Sequence, residues 1–136
     1  MFSVGLAAPL AATAETALSI MRREPERVAR LRTNGLRFLE AANAAGLDTG
    51  FSEGYAITPV IIGDSLSAAM LSDLLFAEGI SALPIIHPAV PEKLARLRFF
   101  ITSEHTPDQI DRAVELTASL LGKVSNRLDR TKGTPG

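Results

Sequence analysis

The middle of the sequence alternates between the hydrophobic spacing of a strand and that of a helix. The stretch YAITPVII is rich in β-branched residues and lies between Gly54 and Gly63, which predicts a strand. Pro59 cannot donate a ladder hydrogen bond, so we expect this strand to lie at a sheet edge or to carry a bulge. The chain must therefore combine a sheet with helices.

Helix and strand patterns follow one another after this first strand. The segment DSLSAAMLSDLLFAEG predicts a helix that has Asp64 or Ser65 as its N-cap and ends at Gly79. ISALPII and ARLRFFITS predict two more strands, separated by the proline-stiffened loop HPAVPEK. Thr106 and Gln109 form a capping box that begins a last helix.

Two helices are predicted upstream, the first from about Ala8 to Met21 and the second from Pro25 to Gly46. The resulting order predicts an α/β fold of the α+β small-domain kind. Its sheet is small, mostly antiparallel, covered by helices and preceded by two helices. The β-α-β-β-α portion fits a ferredoxin-like topology, which by itself indicates no function.

The length of 136 residues suits one compact domain, and 46% hydrophobic with 21% charged residues is typical of folded proteins. The 14 basic and 15 acidic side chains give a net charge of −1, so nothing attracts nucleic acid or an anionic membrane over distance. Without cysteine there are no disulfides or thiolate metal sites, and we expect a cytoplasmic protein.

We expect three parts along the chain: a helical segment at 1–50, a C-terminal small domain at 51–128 and a disordered tail at 129–136. The apolar beginning of the sequence has no basic region before it, and Pro9 and Glu15 interrupt it, so no signal peptide is expected. No window approaches the roughly 20 uninterrupted apolar residues of a membrane span.

Arg96 and Arg98 alternate with apolar residues in ARLRFFITS, so both guanidiniums stand on one face of the strand, about 7 Å apart at the backbone. Two like charges that close require water, carboxylates or a ligand anion between them. One interpretation is a solvated face, paired with Glu92, Glu104 or a helix acid. The other is an anion site, because guanidinium presents a planar fork to a carboxylate or phosphate. The residues alone leave both open.

Other chemistry-bearing residues form weaker patterns. His87 and His105 have no acid cluster at metal-ligand spacing, so no metal site is expected, and His105 is expected to pack at the start of the last helix. Ser3, Ser65 and Ser103 lie outside any nucleophile elbow, so hydrolysis is not indicated.

Three segments together carry a family resemblance: FSVGLAAPLAATAETAL, PVIIGD and EGISALPIIHPAVPEKLARLRFFITSEHTPDQI. In order and spacing, from about Phe2 to Leu128, the sequence resembles the C-terminal third of the α-oxoamine synthases. These include 8-amino-7-oxononanoate synthase, 2-amino-3-oxobutyrate CoA ligase and serine palmitoyltransferase, within the class I and II aminotransferase superfamily. The resemblance implies a fold-type I transferase that uses pyridoxal phosphate (PLP) to condense an amino acid with an acyl thioester.

The resemblance also implies roles for individual residues. The arginine that matches Arg98 grips the substrate carboxylate, and a bidentate grip would orient the bond to be broken. Arg96 is then a paired or solvent-facing neighbour. Ser3 matches a residue that reaches across a dimer interface to the cofactor phosphate, although it equally fits a simple helix cap. The family offers no fixed role for His87.

The family's Schiff-base lysine belongs to a large domain upstream of the matching segment. Lys93, Lys123 and Lys132 all fit solvated surface positions instead. The resemblance therefore implies a chain that is inactive alone and associates with a lysine-bearing large domain or forms a homo-oligomer, with an amino acid and an acyl thioester as substrates. Neither nucleic acid nor a membrane is expected as a partner. A non-catalytic relic, or a dimerisation or interaction module, is the alternative.

Overall fold

A computed structural model describes residue 5 and residues 7–132, the last six of them by backbone alone. Within these residues it contains four α-helices, one three-stranded sheet and a single-turn 3₁₀ helix. The elements are α1 Ala8–Arg23, α2 Pro25–Ala44, β1 Ile57–Gly63, α3 Ser65–Ala77, β2 Leu83–Ile85, the 3₁₀ turn Glu92–Leu94, β3 Ala95–Phe100 and α4 Pro107–Lys132. The predicted fold class and order of elements are confirmed.

The last helix is longer than expected. It includes residues 129–132, which the sequence analysis assigned to a disordered tail. No proline or glycine interrupts the sequence between Gly122 and Gly133, so nothing in this stretch removes a helical hydrogen bond. Residues 133–136 lie outside the described part of the chain.

The sheet has the strand order β1-β3-β2, and β3 is antiparallel to both neighbours. Consequently β1 and β2 are parallel to each other, joined through α3 and split by β3. Pro59 lies in an edge strand, where its missing donor costs no ladder bond, and the register shifts between Ile61 and Gly63. Both features predicted for this strand, the edge position and the irregularity, are present.

The helix termini follow the predicted chemistry. The side chain of Asp64 accepts a hydrogen bond from the Ser67 N–H at 2.8 Å, and α3 is followed by Gly79 with a φ of 83°. At the start of α4, the Thr106 N–H donates to Gln109 Oε1 at 2.9 Å and the Gln109 N–H donates to Thr106 Oγ1 at 3.3 Å. These reciprocal bonds are the predicted capping box.

One hydrophobic core joins the sheet to α2, α3 and α4. On β3, Leu97 is fully buried and Phe99 is 4% exposed, and the Phe99 ring lies 4.9 Å from that of Phe38 on α2. The cluster of buried residues crosses the boundary expected at residue 50, since it takes members from both sides of it. They are Phe38, Ala42, Leu47, Val60, Leu71, Leu75, Ala82, Leu97, Phe99, Ile101, Ile110, Val114, Leu120 and Val124.

The helix α2 is fixed to the sheet by two close contacts. A Cβ on Gly35 would lie 2.3 Å from the carbonyl oxygen of Gly54, so only glycine allows the helix to approach the loop before β1. The buried Asn34 amide donates to the carbonyl oxygens of Thr102 and His105, at 2.9 and 2.8 Å. Asn34 thereby connects α2 to the turn that follows β3.

The helix α1 lies outside this core. None of its described side chains is buried, and Leu10, Leu18 and Met21 are each more than half exposed. Its sequence is nevertheless helical, with Pro9 in the first turn and arginines in the last. Among the described residues, no helix is long and apolar enough to cross a membrane.

Candidate functional site

The face of the sheet opposite the core carries both arginines. We call it the open face, because its edge residues remain accessible: Leu83 is 55% exposed, while Ile57 and Phe100 are each 47% exposed. The strand register places its members side by side across the three strands. They are Ile57, Pro59 and Ile61 on β1, Leu83 and Ile85 on β2, and Arg96, Arg98 and Phe100 on β3.

The two arginines have different surroundings. Arg96 Nε donates a hydrogen bond to the Leu94 carbonyl oxygen at 3.0 Å, which holds this side chain back toward the 3₁₀ turn. The guanidinium of Arg98 lies over the Phe100 ring, 5.4 Å from its centre, within the range of a cation–π interaction. Arg98 Nε is buried and has no hydrogen-bond partner among the described residues. Of the two, Arg98 is the one with an unsatisfied donor.

The acids that could have neutralised the pair are engaged elsewhere. Glu92 accepts hydrogen bonds from the N–H and the hydroxyl of Ser65, which hold the pKa of its carboxyl below the ordinary value. Glu104 binds Arg27 of α2 at 3.1 Å. Within the part of the chain that the structure describes, neither Arg96 nor Arg98 forms an ion pair. The interpretation in which Glu92 or Glu104 pairs with the arginines is therefore not supported, because both carboxylates face other donors.

A separate cleft of about 330 Å³ lies beside the end of β3, and Arg98 does not line it. Two of its polar side chains already have partners. His105 Nδ1 accepts from the Thr102 N–H at 3.2 Å, and Arg112 donates to the Glu78 carbonyl oxygen at 3.3 Å. This cleft therefore presents no free set of reacting groups comparable to the open face. The bond from Thr102 also fixes His105 just before α4, as the sequence predicted.

The remaining candidates do not converge on the arginines. Lys93 and Lys123 are exposed, on the 3₁₀ turn and on α4. Ser65 begins α3, and Ser103 donates to the carboxylate of Glu104. Ser3, predicted to contact a cofactor phosphate, lies outside the described residues. The described residues contain no cluster of three His, Cys, Asp or Glu side chains able to hold a metal ion.

Comparison with solved structures identifies this arrangement in larger proteins. A structure of serine palmitoyltransferase (SPT) with PLP matches 92% of the chain with a TM-score of 0.81 and 27% identity. An 8-amino-7-oxononanoate synthase from Francisella tularensis matches 81% with a TM-score of 0.71 and 26% identity. The chain covers 32% of each of these proteins.

Sequence relatives agree with the structural matches. The 8-amino-7-oxononanoate synthase of Symbiobacterium thermophilum is 42% identical over 120 residues, or 88% of this chain. That of Thermosipho melanesiensis is 40% identical over 115 residues, or 85% of it. The chain is homologous to the C-terminal portion of the α-oxoamine synthases. No protein-family model matches it.

The chain spans about a third of the length of these α-oxoamine synthases: 30% of the Symbiobacterium relative and 29% of the Thermosipho relative. Most of each relative therefore has no counterpart in the described fold. The open face and α1 are two of the surfaces on which apolar side chains remain exposed within the described residues.

Proposed function

We propose that this chain is the C-terminal portion of a PLP-dependent α-oxoamine synthase, which joins an amino acid to an acyl thioester. In this proposal the open face borders the active site, and Arg98 binds the carboxylate of the amino-acid substrate. The observation that carries the proposal is the buried Arg98 Nε without a partner, on a face whose other members are mainly apolar.

The geometry of Arg98 favours this role on physical grounds. An unpaired buried donor costs about 1–3 kcal/mol, and a carboxylate that accepts from this guanidinium would offset that cost with charge-assisted hydrogen bonds. The Phe100 ring under the guanidinium restricts its orientation, so less side-chain freedom would be lost when a substrate binds. Arg96 is already bonded to the Leu94 carbonyl and fits the role of a neighbour.

The described residues do not fit a covalent cofactor site. Lys93 and Lys123 are exposed and far along the chain from each other, and neither lies beside Arg98 in the strand register. PLP, when bound, supplies the electron sink for the substrate's α-carbon. We propose that the lysine which holds it belongs to a large domain outside these 136 residues, and that these residues alone are inactive. The proposed contact of Ser3 with the phosphate of a partner subunit's cofactor rests on the family resemblance alone.

A second candidate function is a non-catalytic dimerisation or interaction module. The observation that favours it is the exposed apolar side chains of α1, with Leu10 at 61% and Leu18 at 56% exposure. Such a surface binds a partner without requiring chemistry at Arg98. The two candidates differ in whether the open face must bind an amino acid.

A chimera tests the proposed function. The C-terminal segment of the Symbiobacterium thermophilum relative is replaced by this chain, so that the relative supplies its own lysine-bearing portion. We expect the chimera to bind PLP, with visible absorption of the bound cofactor, and to consume amino acid in the presence of acyl thioester. The isolated chain with PLP should show no such absorption. A folded, PLP-loaded chimera that consumes no amino acid would contradict the proposal and favour the interaction module.

A further inference from the structure

A hydrogen-bonded clamp connects the loop between β2 and β3 to the start of α3. Glu92 Oε1 accepts from the Ser65 N–H at 2.9 Å, and Glu92 Oε2 accepts from the Ser65 hydroxyl at 2.6 Å. The same hydroxyl oxygen accepts from the His87 N–H at 3.3 Å. We call Glu92, Ser65 and the His87 N–H the loop clamp. All of its donors and acceptors are compatible, since the serine hydroxyl donates once and accepts once.

The loop clamp closes the loop at both ends. His87 is its first residue after Ile86 and Glu92 follows Pro91, so both ends bind the same serine, which is held at the first turn of α3. The Ser65 N–H is one of the donors that a helix leaves without an intrahelical acceptor, and a carboxylate there also meets the positive end of the helix dipole. A charge-assisted pair of bonds at this position is stronger than a neutral pair.

The loop clamp lies next to the arginines. The strand β3 begins three residues after Glu92, and Ile85 at the end of β2 pairs with Arg96. The 3₁₀ turn that carries Glu92 also carries the Leu94 carbonyl oxygen, which accepts from Arg96 Nε. Fixing Glu92 therefore also fixes the Leu94 carbonyl oxygen, which holds the Arg96 side chain away from Arg98. The Cα atoms of the two arginines are about 7 Å apart along the strand.

We propose that Glu92 and Ser65 are positioning residues for the amino-acid site at Arg98. The loop clamp holds the 3₁₀ turn, the turn holds Arg96 Nε, and of the two arginines Arg98 is left with the unsatisfied Nε donor, beside which the substrate carboxylate binds. Without the clamp, the turn and Arg96 gain freedom, so part of the site must be ordered again when the substrate binds and the carboxylate loses its fixed orientation. This inference rests on the proposed function of Arg98.

Steady-state kinetics of the chimera test the inference. We expect Glu92→Ala to raise the KM for the amino acid about tenfold with a smaller change in kcat, because the site loses order before the chemistry begins. Ser65→Ala should have a similar effect, and the double variant should be no worse than either single one, since the two residues act as a unit. Glu92→Gln should stay within about twofold of the unsubstituted enzyme, because its amide can accept from the Ser65 N–H and bond to the hydroxyl.

The matched control is Glu115→Ala, an exposed glutamate on α4. It should leave the KM unchanged. Additive effects of Glu92→Ala and Ser65→Ala, or a lowered Tm with an unchanged KM, would overturn the inference and leave only a structural role. If the unsubstituted chimera consumes no amino acid, the proposed function fails; if it is active and Glu92→Ala has the same KM, only the clamp inference fails.

The isolated chain provides an independent test if the variants reduce the yield of folded chimera. Solvent exchange of the Arg96 Nε proton, measured by NMR, should become about tenfold faster in Glu92→Ala, because the Leu94 carbonyl is no longer held in place. Exchange at the Leu97 amide should stay slow. An unchanged Arg96 Nε exchange rate would show that the turn does not depend on the clamp and would overturn the inference.

Discussion

The two faces of the sheet differ in how far they are buried by other parts of this chain. On the covered face, Val60 and Leu97 are fully buried under α2, α3 and α4. On the open face, Leu83 and Phe100 remain about half exposed and Arg98 Nε lacks a partner. The strand β3 contributes to both faces, with Leu97 on the covered face and Arg98 and Phe100 on the open face. Folding of the chain therefore depends on one face, and the other is left for contacts outside it.

The open face is also unusual in its residue composition. An antiparallel sheet that faces water on one side normally places polar residues there. Here, the residues around the two arginines are isoleucines, a leucine, a phenylalanine and a proline. Apolar side chains grouped around a few charged groups are typical of binding clefts and interfaces. Because the relatives are about three times as long as this chain, a large domain is the partner we propose for this face.

Two matched leucine substitutions, one on each face, should give the largest difference in folding stability. Leu97→Ala leaves a cavity in the core and is expected to lower the free energy of unfolding by about 2–5 kcal/mol. Leu83→Ala, on the neighbouring strand but on the open face, should cost less than about 1 kcal/mol because little buried area is lost. Urea unfolding monitored by circular dichroism measures both. Equal losses would mean that the open face is also buried in solution.

A matched glycine pair tests how closely α2 must approach. In Gly35→Ala the added carbon would lie 2.3 Å from the Gly54 oxygen, so the helix must move, at a cost of about 1–3 kcal/mol. Gly122→Ala, in α4 with no atom within 4 Å of the new carbon, should raise the stability by about 0.5–1 kcal/mol. Thermal unfolding of the two variants should therefore shift in opposite directions. A stable Gly35→Ala variant would show that the covered face tolerates a looser α2.

Much of this contrast could be predicted from the sequence. The alternation in ARLRFF separates Arg96 and Arg98 from the apolar side of β3, and the caps of α3 and α4 are local signals between residues three apart. The residue pattern alone does not distinguish the two arginines, because the difference depends on a backbone carbonyl and a ring that the pattern does not orient; only the family resemblance separates them. The hydrogen bond that Ser65 donates to Glu92 joins residues 27 positions apart, and only the fold brings them together.

A weaker effect is expected from pH, at the rim of the covered face. Arg37 of α2 hydrogen-bonds to Asp111 of α4, which lowers the pKa of that carboxyl below its ordinary value. The contribution of this Arg37–Asp111 interaction to stability is present above the unfolded-state pKa of about 4. It is lost as the pH falls through the lower folded-state pKa of Asp111. Both side chains are partly exposed, so the effect should be small. Urea midpoints from pH 7 to pH 2.5 should fall less steeply below pH 4 in Asp111→Asn.

The control for this measurement is Asp73→Asn, an exposed aspartate on α3 that pairs with no cation in the described residues. Its pH profile should follow that of the unsubstituted chain. If Asp111→Asn and the unsubstituted chain have the same profile, the link between α2 and α4 contributes nothing to the covered face.

The most direct test of the account compares the two arginines in the chimera. Arg98→Ala should raise the KM for the amino acid about 10- to 100-fold, equivalent to about 1.4–2.8 kcal/mol of lost carboxylate binding. Arg96→Ala, on the same strand and face, should raise it less than about threefold, because its guanidinium is already held by the Leu94 carbonyl. Equal effects of the two substitutions, or no effect of Arg98→Ala, would contradict the assignment of the open face as the amino-acid site.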